Sequence, residues 1–485
     1  MVVYKEEGED TSVEQVEKPK ITPIDSDREE RSDFFKKVTA NEPEPIEPQF
    51  LNFEEDITKF TIGDNLPAHY VKNEENDLFR MYYLLDMGRE HDLKTALAVR
   101  YLEFLGTDEY TPEEINKEFY NLAGRFGIST GSDQSYVYVR GLESEFEETM
   151  ELFHHLLANA EHNEEALENL IDDIMREREN NKQEQSTILH RAMRSYATYG
   201  KDNPFNHRLS EEELREVDAE ELVSKLHDLL EFEHKVLYYG PSSPEMVQEA
   251  TPNFHPMHDE YKPYPEKKTF ERRSMDEDKV YFADYDMVQA EILWLNKSVQ
   301  FDPELIPVAR LFNRYFGVGM SSIVFQQLRE SQALAYSTRS WFTTPSKKED
   351  PHYILSYIGT QHDKLEEAVS SMNELKTNLP ENRSRFQDGR ETLLNNLRTS
   401  RTTRQSILFA YDDARKRGLD YDLNEKVYND AQDLTLDHVM EFHDKHYSDR
   451  NYYYLVLGDE EKVDQDVLRD IGELEVLELE EIFGY

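Results

Sequence analysis

The chain has 485 residues, with 55 Lys and Arg against 102 Asp and Glu, which gives a formal net charge of −47. A chain this acidic is not expected to bind nucleic acid or an acidic membrane surface, because phosphate groups require a basic face. Cysteine is absent, which excludes disulfides, a thiol nucleophile and cysteine-ligated metal, whereas 38% hydrophobic residues suffice to build packed cores in about two to four domains.

Residues 1–60 are acidic and punctuated by proline, as in Glu42–Pro48. Proline stiffens such a segment and like charges extend it, so we predict a strap or hinge linker, with a flexible tail as the alternative. Residues Val2–Lys5 resemble the end of a β-strand. No apolar run approaches the roughly 18 residues of a membrane-spanning helix, and the N-terminus lacks the pattern of a secretory signal.

The rest of the chain repeats one order of elements. Residues 61–245 alternate strand-like and helix-like patterns, with a helix that ends at Gly106, and residues 281–485 repeat this order, with the equivalent helix ending at Gly317. The segment 246–280 between them is rich in proline, histidine and charge, which is typical of a linker. We therefore predict an α+β fold with two tandem homologous domains, each an antiparallel-type sheet covered by helices.

The most specific local motif lies at residues 313–337, NRYFGVGMSSIVFQQLRESQALAYS. The pattern predicts a helix that stops at a Gly-rich turn, a short amphipathic helix over Ser321–Arg329, and a strand that starts near Ala335. Arg329 and Tyr336 then flank the helix-to-strand connection. A guanidinium suits peptide carbonyls and a phenol can donate to an oxyanion. From spacing alone, a surface ion pair for Arg329 and a core position for Tyr336 remain open.

This segment closely resembles the insulysin, pitrilysin and mitochondrial-processing-peptidase family, the inverted-motif zincins. The resemblance rests on the Arg and Tyr seven positions apart after a Gly-rich turn, and it extends from about residue 17 to the C-terminus. Among the members of that family, the chain most resembles the second half of the long, two-halved bacterial ones. The resemblance implies that Arg329 and Tyr336 contact substrate across a closed chamber.

The zinc site of that family requires H-x-x-E-H on a helix and a downstream glutamate ligand. Where the two histidines and the glutamate are expected, this chain has Leu97, Arg100 and Tyr101. Leucine cannot bind a metal, arginine stays protonated, and one tyrosine cannot hold zinc. A carboxylate remains near the third ligand position, at Glu177 or Glu179. We therefore expect no catalytic metal in this chain.

Other polar clusters carry weaker expectations. His443 and His446 are expected to cap a helix end, and His154 and His155 to point to different helix faces. His255 and His258 are expected to lie in a linker without a third ligand. Two glutamate clusters are expected to be solvated surface; they are Glu211–Glu213 and Glu478 with Glu480 and Glu481. The strand Ser337–Phe342 is expected either to line a chamber wall that binds extended peptide or to be an ordinary core strand.

The resemblance implies that this chain is the zinc-free C-terminal half of a two-halved metalloendopeptidase. Tyr336 would stabilise the tetrahedral intermediate and Arg329 would hold a substrate carbonyl or backbone. An HxxEH-bearing N-terminal half or partner subunit would supply zinc, so the chain alone is expected to be inactive. A separate subunit and a fragment of a longer chain would look alike. The alternative is a catalytically silent structural or interaction subunit of the same family.

Compartment and substrate preference stay open at this point. If the chain belongs to a longer exported precursor, a periplasmic or exported location is expected, although the chain itself carries no signal. A net charge of −47 would make an enclosed chamber favour basic peptides, whereas an acidic outer surface adapted to salt would give the same total.

Overall fold

The computed structural model describes residues 32–41, 44 and 46–485 and divides into two compact units, Met1–Glu47 and Pro48–Tyr485. In the first unit, helix α1 (Asp33–Thr39) begins at Ser32, whose hydroxyl accepts a hydrogen bond from the backbone of Phe35 at 3.1 Å. The strand expected at Val2–Lys5 and most of the expected strap lie outside the described residues.

The second unit contains twelve described β-strands. They are β1 (Thr58–Ile62), β2 (Leu66–Lys72), β3 (Leu78–Leu85), β4 (Arg125–Thr130), β5 (Ser135–Leu142), β6 (Lys235–Gly240), β7 (Lys279–Asp284), β8 (Ala290–Gln300), β9 (Ser337–Phe342), β10 (Pro351–Thr360), β11 (Tyr453–Gly458) and β12 (Glu473–Leu477).

The helices of the same unit are interleaved with these strands. They are α2 (Leu93–Tyr101), α3 (Pro112–Asn121), α4 (Phe146–Asn159), α5 (Glu164–Lys182), α6 (Gln185–Thr187), α7 (Arg194–Tyr199), α8 (Glu211–Arg215), α9 (Ala219–His227), α10 (Pro244–Phe254), α11 (Ile306–Phe316), α12 (Leu365–Thr377), α13 (Arg383–Thr399), α14 (Ser406–Lys416), α15 (Leu423–Asp433), α16 (Leu436–His446), α17 (Gln465–Ile471) and α18 (Leu479–Phe483). Wider π-helical turns lie at Ile188–Met193 and Phe325–Ser331, where each backbone hydrogen bond spans five residues instead of four. Among the described helices, none combines the length and apolar character needed to cross a membrane.

The strands form two open six-stranded sheets. Their orders are β1-β2-β6-β3-β5-β4 and β12-β7-β11-β8-β10-β9. Five strands correspond in order, and the sheets differ in the sixth: β1 pairs antiparallel with β2, whereas β12 pairs parallel with β7. The α+β prediction with repeated sheets is therefore confirmed, and the sheets are mixed, because β2 with β6 and β7 with β11 also pair in parallel.

Both faces of each sheet are buried. Along β3, Met81 and Tyr83 pack into one core with the helices of the first repeat, whereas Tyr82 and Leu84 contribute to a different core on the opposite face. Side chains alternate between the faces of a strand, so a strand covered on both sides reads as a nearly continuous apolar run. This explains why the central strands were readily visible in the sequence.

The two repeats each cover one face of the other's sheet. The helical segment 185–199 belongs to the first repeat by sequence, yet Leu189 and Tyr196 pack with Tyr281 and Leu455 on the second sheet. In return, α14 of the second repeat packs on the first sheet, where Phe409 meets Tyr82 edge-to-face with 5.1 Å between ring centroids. This exchange joins the two repeats into one packed body, so packing does not mark a boundary between them. The sequence boundaries of the two domains therefore stay predictions.

A buried charged network reinforces the exchange. The Asp412 carboxylate of α14 lies 3.2 Å from Lys235 Nζ of β6 and 2.9 Å from Lys416 Nζ. The Gln134 amide donates to the same carboxylate at 3.1 Å. The charges on Lys235 and Lys416 and the hydrogen bonds outweigh burial, so the pKa of Asp412 lies below its ordinary value.

The exchanged segment generates a prediction about local stability. Leu189→Ala should cost about 2–5 kcal/mol, and it should speed native-state hydrogen exchange in β11, because Leu189 covers that strand from the other repeat. Leu222→Ala, an equally buried change in the first repeat's own core, is the control and should leave β11 exchange closer to wild type. Unchanged β11 exchange in Leu189→Ala would show that this packing does not stabilise the second sheet.

Candidate functional site

The predicted site begins where α11 ends against β9. A Cβ atom at Gly317 would lie 2.1 Å from the Ser340 carbonyl oxygen, so only glycine allows this close approach. Ser340 N donates to Gly317 O at 3.0 Å. One turn earlier, the Asn313 side chain accepts from Phe342 N at 2.7 Å and donates to Phe342 O at 2.9 Å. The end of the helix is thereby fixed to the edge strand.

The connection between Gly317 and β9 contains less regular α-helix than the sequence predicted. The expected amphipathic helix Ser321–Arg329 is replaced largely by the π-helical turn Phe325–Ser331. Its last bond, from Gln332 N to Gln327 O at 3.0 Å, spans five residues instead of the four of an α-helix. Ile323, Val324 and Leu328 anchor the segment in the core.

The end of β10 holds the turn before Tyr336. Tyr336 N donates to Gly359 O at 2.9 Å, and the Thr360 hydroxyl donates to Leu334 O at 2.6 Å. Lys364 Nζ donates to Ala333 O at 3.1 Å. Ala333 has a φ of 52°, a left-handed conformation that costs a non-glycine residue about 1–2 kcal/mol. These hydrogen bonds offset that strain and set the direction in which Tyr336 leaves the strand.

Tyr336 and Arg329 both present their polar groups to the surface. The Tyr336 side chain is 52% exposed, and its hydroxyl accepts a hydrogen bond from Gln361 Nε2 at 3.1 Å, which leaves its own proton free to be donated. Arg329 is exposed and lies over the Phe325 ring at 4.9 Å. No ion pair joins Arg329 to an aspartate or glutamate in the described part of the chain. Neither the core position nor the surface ion pair that the spacing left open is observed.

Strand β9 lies at the edge of the second sheet, but its outer edge is only partly free. The outward N–H groups of Ser340 and Phe342 already donate to Gly317 and Asn313. Because hydrogen-bond directions alternate along a strand, the main chain of Thr338 faces the same outer edge. An added peptide strand would therefore find its partners near Thr338, next to Tyr336.

The three positions that replace a zinc motif lie on α2 and have other partners. Leu97 is buried in the first core. The buried Tyr101 hydroxyl donates to Asn163 O at 2.6 Å and accepts from Asn163 N at 2.7 Å, which fixes the start of α5. Arg100 Nη2 lies 3.4 Å from Glu177 Oε2. The structure thus brings Glu177 to this helix and leaves Glu179 exposed. A zinc ion does not fit here, because the available groups are an aliphatic chain, a guanidinium, a hydrogen-bonded phenol and a carboxylate paired with arginine.

The sequence did not indicate a buried histidine cluster in the first repeat. His154 Nε2 lies 2.7 Å from the Tyr83 hydroxyl, and His234 Nε2 lies 2.9 Å from His255 Nε2. Burial lowers the pKa of His154 to about 3 and that of His234 to about 4, and burial together with His234 and His154 lowers the pKa of His255 well below its ordinary value. These rings are neutral parts of the core.

The remaining histidine expectations had mixed outcomes. His154 and His155 point in different directions as predicted, since His155 Nε2 contacts Thr107 Oγ1 at 3.1 Å. His443 and His446 are buried. Neither ring nitrogen of His446 has a hydrogen-bond partner among the described residues, so His446 does not cap α16 as expected. Burial lowers the pKa of His446 to about 4.

The polar surface clusters also differ in detail from expectation. Ligand atoms of His155, Asp108 and Glu109 lie within 4.8 Å of one another on the surface, a grouping that sequence distance concealed. Glu211–Glu213 form the exposed first turn of α8 as expected. Glu481 is half-buried and accepts from the Tyr196 hydroxyl at 3.2 Å.

Family comparisons match both repeats. A family model described as "Insulinase (Peptidase family M16)" matches residues 95–211, and one described as "Peptidase M16 inactive domain" matches residues 216–381. The second match includes Arg329 and Tyr336. An uncharacterised zinc protease of Rickettsia felis is 22% identical over 271 residues, covering 55% of this chain and 64% of the relative. The chain therefore spans less than two thirds of that curated relative's length.

Solved structures share the fold. A peptidase M16 inactive domain from Pseudomonas fluorescens has a TM-score of 0.64 at 15% identity, covering 84% of this chain and 100% of that chain. The periplasmic protease PqqL from Escherichia coli has a TM-score of 0.65 at 13% identity, covering 86% of this chain and 47% of that chain. At such identities the likeness concerns the arrangement of helices and sheets.

The buried histidines generate a prediction about acid stability. An unfolded histidine has a pKa of about 6.5, so below that pH the unfolded state binds protons that buried His154 and His234 do not. Stability should fall as the pH decreases from about 6.5 towards 4, by about 2 kcal/mol per buried histidine at pH 5. His154→Phe should make the pH dependence of urea unfolding shallower by about one proton.

The matched control keeps the histidine buried while weakening its environment. Tyr83→Phe removes the hydroxyl that contacts His154, so it should lower stability at every pH without reducing the pH slope. Identical slopes for wild type and His154→Phe between pH 7 and 5 would contradict the explanation.

Proposed function

This chain belongs to the insulinase family of M16 peptidases, and we propose that it acts as the zinc-free half of a two-part metalloendopeptidase. In this role it contributes substrate binding and transition-state stabilisation to an HxxEH-bearing half, and the two halves enclose the peptide. The observation that carries the proposal is the surface placement of Tyr336, whose hydroxyl accepts from Gln361 and retains a proton to donate.

The comparisons support a half-enzyme. The chain covers the whole of a structure described as an inactive domain, but only 47% of a periplasmic protease of the same fold. The Leu97, Arg100 and Tyr101 positions cannot hold zinc, so the metal and the general base come from the other half. A chain with this arrangement is inactive alone and becomes part of an active site only when a zinc-bearing half faces it.

Within that complex, the two exposed side chains have different roles. The Tyr336 phenol donates a hydrogen bond to the oxyanion that develops on the scissile carbonyl, an interaction that strengthens in the transition state. The Arg329 guanidinium donates to a peptide carbonyl of the bound substrate, an interaction present before and during the reaction. The free edge of β9 near Thr338 pairs with the extended peptide through main-chain hydrogen bonds.

A catalytically silent interaction subunit is the competing function. Such a subunit has no need of a proton donor held at the surface by Gln361, or of an exposed guanidinium that forms no ion pair within the described part of the chain. The two functions separate when the chain is mixed with a zinc-loaded HxxEH partner, for which the product of an adjacent reading frame is the first choice. Peptide cleavage by the mixture supports the half-enzyme. Cleavage by this chain alone that a chelator abolishes would overturn the zinc-free assignment.

Tyr336→Phe tests the oxyanion role. Removing one preorganised donor should lower kcat of the assembled enzyme about 10²–10³-fold with little change in KM, because the bond forms in the transition state. Tyr120→Phe is the control, since Tyr120 is 82% exposed on α3, outside the proposed site. Steady-state peptide hydrolysis measures both variants, and an unchanged kcat in Tyr336→Phe would exclude the oxyanion role.

Arg329→Gln tests substrate binding. Loss of a charged hydrogen-bond donor should raise KM about tenfold while kcat changes less, because the bond exists in both the ground state and the transition state. Arg176→Gln removes an exposed arginine of α5 whose partner is Asp173, and it should leave KM at the wild-type value. Equal KM values for all three proteins would show that Arg329 does not contact the peptide.

A further inference from the structure

A cationic cavity lies beside the helix that replaces the zinc motif. It has a volume of about 220 Å³ and is bordered by α2 and α5, with Leu97 and Arg100 in its wall. Its charged lining consists of five arginines and one glutamate; these are Arg89, Arg100, Arg178, Arg191, Arg208 and Glu177. In a chain with a net charge of −47, this is a concentration of the opposite sign.

Four of these five arginines lack an acidic partner among the described residues, although such a chain could easily supply one. Arg100 lies 3.4 Å from Glu177. Over the described residues, no aspartate or glutamate forms an ion pair with any of the other four arginines. Arginine side chains are seldom left without a carboxylate inside an acidic protein, because burying an uncompensated charge is costly. Arginines therefore outnumber carboxylates in the cavity lining by five to one.

The buried guanidinium groups are only partly satisfied by the protein. Arg178 is 5% exposed and donates to Leu209 O at 2.5 Å. Arg208 Nε donates to Phe205 O at 3.1 Å. Arg89 Nε is shielded from solvent and finds no hydrogen-bond acceptor among the residues that the structure describes. A guanidinium carries five N–H donors, so several donors remain for a bound acceptor.

Aromatic rings orient these guanidinium groups without neutralising them. Arg178 and Arg208 each lie 5.0 Å from the centre of the Tyr485 ring, and Arg191 lies 5.6 Å from that of Phe205. Cation–π contacts fix a guanidinium plane but leave its edge donors available. The planes are thus held in place before any ligand arrives.

Burial and the close approach of the arginines to one another lower the pKa values of Arg208 and Arg89. Burial lowers the pKa of Arg208 to about 10, Tyr485 opposes this shift, and Arg178, Arg89 and Arg191 add to it. Burial, Arg191 and Arg100 lower the pKa of Arg89, against Glu90. The mutual repulsion of these guanidinium groups is unfavourable until an anion enters.

We propose that this cavity binds a small oxyanion with two or more negative charges, either a phosphate-type group or a polycarboxylate. Guanidinium forks match the oxygen pairs of both groups, and the cavity exceeds the roughly 30 Å³ occupied by one water several times over. The cavity is lined by Leu97, Arg100 and Glu177, which stand where the family resemblance places a zinc site, but its charge favours an anion over a cation. The inference is independent of the proposed peptidase role.

The test is isothermal titration calorimetry on the full chain near pH 7 in about 150 mM NaCl, with pyrophosphate and with citrate as probes. Saturable one-to-one binding and a rise in Tm are expected, because the anion binds only the folded state. Binding of pyrophosphate alone assigns a phosphate group, binding of citrate alone assigns a carboxylate, and binding of both assigns a general oxyanion site.

Variants locate the binding. Arg191→Gln changes an exposed side chain that can be removed without unfolding the chain, and Arg100→Gln changes the position within the former motif; each should weaken binding at least about tenfold. Arg191→Lys should restore part of the affinity, since it keeps the charge but loses the fork. Arg176→Gln on α5, outside the cavity, should bind as wild type does.

Two results would overturn the proposal. One is the absence of saturable binding of either probe at concentrations up to about 1 mM. The other is equal affinity in wild type, Arg191→Gln and Arg100→Gln, which would place the anion elsewhere on the surface.

Discussion

Everything in this molecule depends on the apolar contact through which each repeat covers a face of the other's sheet. Leu189 and Tyr196 are almost completely buried against the second sheet. In the same way, α14 covers one face of the first sheet. Each such side chain contributes about 1.5–3 kcal/mol on burial. Separating the repeats would expose both sheets, so the two repeats form one rigid support for the loops between their elements.

That support determines where the side chains of the proposed site lie. The Gly317–Ser340 contact and the hydrogen bonds at the end of β10 tie the segment that carries Arg329 and Tyr336 to the second sheet. The equivalent helix of the first repeat carries Arg100 and Tyr101 instead. Arg100 pairs with Glu177, and Tyr101 fixes the start of α5. The duplicated framework has thus kept its geometry while the two repeats present different groups, and the acidic character of the chain does not extend to its arginine-lined cavity.

The sequence predicted what local patterns encode. Central strands covered on both faces read as apolar runs, so the repeated α+β order was recoverable. Gly317 caps α11 as expected, whereas α2 ends at Tyr101, five residues before the end predicted at Gly106. The exchange of helices was not, because the apolar face of 185–199 does not specify which sheet it covers. The arginine cavity and the His154–His234–His255 cluster join residues far apart in sequence, and neither spacing nor composition brings such residues together. The edge strands β1 and β12 come from opposite ends of their repeats, which the repeat pattern could not reveal.

The exchanged helix also has a consequence for biosynthesis. Segment 185–199 leaves the ribosome long before its binding surface exists, because the second sheet is complete only once Leu477 has been added. At the usual 5–20 residues per second, its apolar face waits on the order of tens of seconds. The nascent chain therefore passes through a stage in which the first repeat is nearly finished but exposes hydrophobic surface, and this is the stage at which a chaperone would be needed.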